Sequence, residues 1–275
     1  MAARSNGLRF VLLGMGGLSA AIGLTGCSFV WESRDASVPA TTSGRVSSGR
    51  SRSISETFRK TYAALKVKTL RVRDEMGAIE IKPVEEGRDE IRIEATKTVE
   101  GSRFSDADLK KLLTKVKITA SLDGDALVIE ADHVKDDFPD NVSATVAFVI
   151  AVPKRLALDL RTDNSPITAT GSAGDATTAS LHSNNGKVTF APTTFALAKA
   201  DIETDNAGIT VTMPTALSAT VDAHTSNGNV TLDGVSDSAD KNSDSDHTDR
   251  HVVLNSGRAS IVARTSNGSI SLESR

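Results

Sequence analysis

The feature that most constrains this chain is a ruler of 21 residues. Asparagine stands at Asn164, Asn185, Asn206 and Asn227, each 21 residues after the last, and returns at Asn267 after a gap of 40. Three residues past each Asn is a β-branched aliphatic (Ile167, Val188, Ile209, Val230, Ile270), and five past is Ala169, Phe190, Val211, Leu232 or Leu272. Four residues ahead of the Asn the column reads Leu160, Leu181, Ile202, Ala223, Ala263, and six ahead it reads Leu158, Ala179, Ala200, Val221, Ile261. Apolar positions therefore alternate with polar ones on both sides of a polar corner, which is the period of a strand. A fixed period near 20 residues with that alternation predicts an all-β chain, a single-chain parallel β-solenoid (β-helix) in which each repeat is one coil stacked on its neighbour.

Equal positions of successive coils lie about 4.8 Å apart in such a stack, so each becomes a column of touching side chains. Two residues before the Asn the column is Thr162, Ser183, Thr204, Thr225, Thr265, and four after it is Thr168, Thr189, Thr210, Thr231, Ser271. A branched Cβ packs well on the pleat, and each hydroxyl is expected to bond to the one above. The corners run Asp163-Asn164-Ser165-Pro166, Asn184-Asn185-Gly186, Asp205-Asn206-Ala207-Gly208, Ser226-Asn227-Gly228 and Ser266-Asn267-Gly268. Asn and Gly tolerate the left-handed backbone expected of a sharp corner, and stacked Asn amides can bond along the column. Asn164, Asn185, Asn206, Asn227 and Asn267 are thus read as a structural corner ladder rather than as ligand-binding residues.

Residues 1–26 carry Arg4 and Arg9, no acidic residue, and an apolar run from Phe10 to Leu24. That is a secretory signal, too short and wrongly flanked for a lasting membrane span. It ends Leu24-Thr25-Gly26-Cys27, which resembles the lipobox of bacterial lipoproteins. The resemblance implies cleavage before Cys27 and lipidation of its thiol. Cys27 is the only cysteine in the chain, and export carries it to an oxidising compartment, where a lone thiol is best explained as an attachment point. Residues 27–55 follow as lipid anchor and flexible tether, rich in Ser, Thr, Gly and Arg, too poor in large apolar residues to order themselves. Such a coil reaches on the order of 30 Å. Its arginines (Arg34, Arg45, Arg50, Arg52) are read as solvated, with anionic headgroups or wall polymers as the alternative contact.

The domain is placed at 56–275. Its first part, 56–152, holds irregular strands such as Leu70-Arg71-Val72-Arg73, Ile79-Glu80-Ile81 and Leu127-Val128-Ile129-Glu130, with apolar and charged residues alternating. An irregular first coil begins at Met76-Gly77-Ala78-Ile79. One short helix is expected where Ser105-Asp106-Ala107-Asp108 resembles a capping box and Leu109, Leu112, Leu113 and Val116 fall at helical spacing. It would cover the open N-terminal end of the core, whose bare strand edges invite aggregation. The regular coils occupy 153–275.

The segment Val146-Ala147-Phe148-Val149-Ile150-Ala151-Val152-Pro153, then Leu158-Asp159-Leu160-Arg161-Thr162-Asp163-Asn164 and the repeated Thr-Ser-Asn-Gly units, resembles the bacterial family named "putative adhesin". The similarity covers roughly residues 66–275. It implies a β-solenoid, often membrane-linked, with no established enzymatic activity. The chain departs from the family pattern at Asp163-Asn164-Ser165-Pro166, which lacks the Gly, and in a 19-residue excess between the fourth and fifth corners. That excess is the polar insertion 233–251, with six Asp and two His. It lacks the spacing of a calcium loop and is read as a disordered excursion from one corner.

One column invites a chemical reading. Three residues before the Asn stand Arg161, His182, Glu203 and His224, with Arg264 on the coil after the insertion. Stacked in sequence order, His182, Glu203 and His224 would converge on a zinc ion. A surface ladder of alternating charge is the preferred reading, and no metal or cofactor is expected. Catalysis finds no footing either. The outward columns are mostly Thr, Ser and Asn, and neither a nucleophile elbow nor a phosphate loop is present. Aromatic residues make up 4% of the chain, with one Trp and one Tyr, which weakens any sugar-stacking site. Without the signal the chain has 30 basic and 35 acidic residues, a net charge of −5, and no basic face for nucleic acid. The sequence therefore predicts a lipid-anchored, extracytoplasmic binding or adhesion scaffold of the cell envelope, facing periplasm or exterior. Its expected partners are the membrane through its anchor and an envelope polymer or surface protein. The alternatives are an envelope polysaccharide-processing enzyme and a membrane-proximal stress sensor.

Overall fold

The computed structural model describes residues 51–132, 138–171, 176–193, 197–235 and 247–275. The signal peptide, Cys27, most of the expected tether and the middle of the polar insertion lie outside the described residues.

Alternation in the N-terminal part yields β1 (Ser51–Ala63), β2 (Thr69–Asp74), β3 (Ile79–Pro83) and β4 (Glu90–Ser102), then helix α1 (Asp106–Leu113), then β5 (Lys117–Asp123), β6 (Ala126–Asp132) and β7 (Val142–Val152). The repeats contribute one strand on each side of a corner. These are β8 (Ala157–Thr162) with β9 (Ile167–Gly171), β10 (Thr178–Ser183) with β11 (Val188–Pro192), β12 (Lys199–Thr204) with β13 (Ile209–Met213), and β14 (Ala219–Thr225) with β15 (Val230–Asp233). After the insertion come β16 (Asp249–Leu254) and a last pair, β17 (Ala259–Thr265) with β18 (Ile270–Ser274). The domain is all-β, two mixed nine-stranded sheets in the orders β1-β4-β7-β3-β9-β11-β13-β18-β15 and β16-β14-β17-β12-β10-β8-β2-β6-β5.

The 21-residue ruler sets the register of the parallel core. Leu158, Ala179 and Ala200 pair across β8, β10 and β12, and Ile167, Val188 and Ile209 across β9, β11 and β13. Leu70 and Ile79 join the same columns, so β2 and β3 form the irregular first repeat expected at Met76-Gly77. The inward columns are buried, among them Leu160, Leu181, Ile202, Val188, Phe190 and Val211, with Leu232 partly buried at their end. Each such side chain contributes roughly 1.5–3 kcal/mol by leaving water.

The order of the last repeats departs from the sequence. β17 and β18 lie between β12/β13 and β14/β15, so Ile202 pairs with Ala263 and Ala263 with Ala223. The reason lies in the insertion, which carries the chain beyond β14/β15. There β16 runs back antiparallel along the outer edge of β14. The turn 255–258 then crosses the start of β14 and feeds β17 in on its other side. Asn255 and Gly257 supply left-handed φ values of 55° and 62°. Asn255 Nδ2 donates to Leu217 O at 2.6 Å, and Ser218 Oγ accepts from the backbone amides of Ser256 and Arg258. The segment read as a loop through residue 251 is therefore already strand from Asp249 onward.

At the opposite end, β1 begins at Ser51, so residues 51–55 belong to a strand rather than to the tether, and Arg52 pairs with Asp106 at 3.1 Å. Helix α1 starts on the expected capping box, with Ser105 Oγ accepting from the Asp108 amide and the Asp108 carboxylate reaching back to Ser105. It packs on β1 and β4 and buries Leu109 and Leu113. Tyr62 on β1 donates its hydroxyl to the Ala120 carbonyl of β5, tying the two edge strands of this end together.

Candidate functional site

The exposed surface of the repeats is organised by the corner ladder. Asn185 Nδ2 donates to Asn164 Oδ1 at 2.7 Å and Asn206 Nδ2 to Asn185 Oδ1 at 2.8 Å. The chain of amides continues from Asn267 Nδ2 to Asn206 Oδ1 at 2.8 Å and from Asn227 Nδ2 to Asn267 Oδ1 at 2.9 Å. All five asparagines are brought together, with Asn267 ahead of Asn227 in the order set by the strands.

Why the corners carry Gly differs from the expectation. The corner glycines are not left-handed; among the described residues the positive-φ glycines are Gly87, Gly124, Gly171, Gly234 and Gly257. What the corner demands is close backbone approach. A Cβ on Gly186 would lie 1.8 Å from Ser165 O, one on Gly268 1.9 Å from Ala207 O, and one on Gly228 2.1 Å from Gly268 O.

The hydroxyl column before the ladder also differs. Thr162, Ser183, Thr204, Thr225 and Thr265 are buried, and their hydroxyls bond corner carbonyls rather than one another. Ser183 Oγ donates to Ser165 O at 3.0 Å, Thr204 Oγ1 to Gly186 O at 3.1 Å, Thr265 Oγ1 to Ala207 O at 2.9 Å and Thr225 Oγ1 to Gly268 O at 2.7 Å. Each hydroxyl thus satisfies a corner carbonyl, fully buried at Gly186 and partly buried at the other three, as buried polar groups require. The column four past the ladder (Thr168, Thr189, Thr210, Ser271, Thr231) lies on the outer face, half-buried except for the exposed Thr231.

The candidate zinc column is not assembled. Glu203 pairs with Arg264, and Arg264 with His224, so a cation stands between the carboxylate and the second imidazole. His182 Nδ1 lies 3.3 Å from Glu203 Oε2, and its Nε2 lies 3.0 Å from Asn184 Oδ1. His224 Nδ1 turns to Asp249 Oδ1 at 2.6 Å. Among the described residues no three His, Cys, Asp or Glu side chains are placed to hold a metal ion.

The strand β16 builds a cluster that sequence reasoning missed. Its alternation Asp249, His251 runs opposite to Asp222, His224 on β14, so each His faces an Asp across the antiparallel pair. His251 Nδ1 meets Asp222 Oδ1 at 2.5 Å. With Arg250 and Arg264 these four line a surface pocket of about 280 Å³. The visible signal was the same Asp-x-His triplet at Asp222-Ala223-His224 and Asp249-Arg250-His251, the second at the end of a polar run; antiparallel pairing alone sets each His against an Asp. At the other end Asp159 accepts from Arg73 at 2.6 Å and Arg71 at 3.0 Å. Partial burial works against its charge, but the two guanidiniums outweigh that and hold its carboxyl below the ordinary range.

No helix among the described residues is long and apolar enough to cross a membrane. No protein-family model matches the chain, and no curated protein matches it in sequence. A Bacteroides fragilis chain named a "putative adhesin" is 9% identical over 80% of this chain and 97% of its own, at a TM-score of 0.29, too low to compare folds. A Clostridium sporogenes chain named a "putative cell adhesion protein" aligns over 80% of this chain and 100% of its own at 13% identity and a TM-score of 0.53, which is a likeness of fold.

Proposed function

We propose that this protein is a lipid-anchored, extracytoplasmic β-solenoid that acts as a non-catalytic binding and adhesion scaffold of the bacterial cell envelope. The solenoid reading takes β2/β3, β8/β9, β10/β11, β12/β13, β17/β18 and β14/β15 as coils in spatial order, with antiparallel strands at one end of the first sheet and at both ends of the second. The observation that carries the function is the exposed amide ladder beside the outer hydroxyl column, both repeating once per strand step of about 4.8 Å. A surface of that kind meets an extended partner at many weak points, as stacked repeats do, rather than enclosing one small molecule. The likeness of fold to the clostridial chain, which is named for cell adhesion, supports the same reading. Membrane attachment rests on Cys27 at the end of the signal peptide.

Two measurements test it. Labelled palmitate should enter the wild-type chain and not the Cys27→Ser variant, which should leave the membrane fraction; label retained by the variant removes the anchor. The purified protein should co-sediment saturably with isolated envelopes or wall polymer, and chelator should not release it, because Arg264 separates Glu203 from His224. Absence of retention on either fraction would overturn the adhesion reading.

A further inference from the structure

The order of the last coils has a consequence for self-association. The coil that ends the chain is close to a copy of the one before the insertion: Ala219-Thr-Val-Asp-Ala-His-Thr-Ser-Asn-Gly-Asn-Val-Thr-Leu-Asp233 against Ala259-Ser-Ile-Val-Ala-Arg-Thr-Ser-Asn-Gly-Ser-Ile-Ser-Leu-Glu273. The corners Ser226-Asn227-Gly228 and Ser266-Asn267-Gly268 are identical. Towards the core, Val221 and Ala223 answer to Ile261 and Ala263, and Val230 and Leu232 to Ile270 and Leu272. Asn227 also keeps the 21-residue spacing from Asn206, so β14/β15 fit β12/β13 in the register that β17/β18 now occupy. The slot between β12/β13 and β14/β15 can therefore be filled, or closed without loss of register.

We propose that residues 249–275 are an exchangeable unit and that its partner is a second copy of this chain. The unit is β16, the turn 255–258, β17 and β18, which together straddle β14. In sequence, residues 234–248 join it to the rest of the chain. When the unit leaves, β14 settles on β12, with Ala223 against Ile202 where Ala263 had been, so the vacated core does not stay open to water. A copy supplied by another chain then enters the same slot and makes the same contacts. The contacts that β16, β17 and β18 make with β12, β13, β14 and β15 are all kept, which is why reciprocal exchange is a low-cost route to a closed dimer. On the anchored reading given above, exchange would join neighbouring copies in the membrane in pairs without a new contact surface.

The test uses full chains carrying Cys27→Ser, purified in detergent. One chain carries Glu203→Cys, and a second, of different tag mass, carries Arg264→Cys; these positions are direct partners across β12 and β17. After mixing at high concentration, warming to the onset of unfolding and cooling, mild oxidation should give a disulfide-linked heterodimer. The doubly substituted single chain should instead close within itself when dilute. In parallel, isotopically labelled and unlabelled chains without cysteines should give mixed-mass dimers that survive dilution, since swapped dimers part only by unfolding. Mixed-mass dimers with no 203–264 cross-link would overturn the proposal in favour of side-by-side association, and chains that stay monomeric in both experiments would overturn it outright.

Discussion

At the corner of the third coil, a hydrogen atom is all that Gly186 can carry, because a Cβ there would sit 1.8 Å from Ser165 O. Gly186→Ala should therefore destabilise the domain by about 1–3 kcal/mol, as overpacking does, measured by denaturant unfolding. Gly87→Ala is a different case: it has open space around it but a φ of 84°, so its cost is backbone strain alone, of order 1 kcal/mol. Asn206 holds two exposed ladder bonds, and Asn206→Ala should cost about 1 kcal/mol, the range of exposed amide pairs. Asp159 ties stability to pH. Its folded pKa is depressed, so its contribution is present above the ordinary carboxylate range near pH 4 and is lost as pH falls through the folded value. Asp159→Asn should cost about 0.5–1 kcal/mol at pH 7, as for a partly exposed ion pair, and progressively less as pH falls below the ordinary carboxylate range. A cost that does not change as the pH falls would remove the Arg73 and Arg71 pairing as its cause.

At the scale of elements, the ends of the sheets decide whether the fold stays soluble. Helix α1 covers one end through Leu109, which is fully buried, and its start is fixed by Ser105 and Asp108. Leu109→Ala should cost about 2–5 kcal/mol, as core truncations do, whereas Ser105→Ala should cost about 1 kcal/mol through the lost cap. The strand β16 guards the edge of its sheet with exposed Asp249 and His251 and half-buried Arg250, polar and charged side chains that discourage edge-to-edge pairing. The helix was legible from Ser105-Asp106-Ala107-Asp108 and the spacing of its leucines, because both signals are local. The strand β16 was not, since Asp-Arg-His-Val-Val-Leu at the end of a polar run gains its strand partner only from β14, far back in the chain.

At the scale of the molecule, the sequence encodes which residues share a column better than it encodes the order along it. The register of Asn164, Asn185 and Asn206 follows from alternation and period alone, since a slip of one residue would turn every buried side chain outward. The place of Asn267 does not, because segments 219–233 and 259–273 offer closely similar residues at the inward columns and the same Ser-Asn-Gly corner. Chain connectivity through β16 and the turn at Ser218 breaks the tie. That reversal also undid the zinc column, whose histidines were neighbours only in sequence order. The most direct measurement is disulfide trapping within single dilute Cys27→Ser chains, comparing Thr210→Cys with Ser271→Cys against Thr210→Cys with Thr231→Cys. The structure pairs Thr210 with Ser271, and Ser271 with Thr231. The first pair should therefore close rapidly and nearly completely while the second stays reduced. Rapid closure of the second pair, with the first left open, would contradict the coil order on which the account rests.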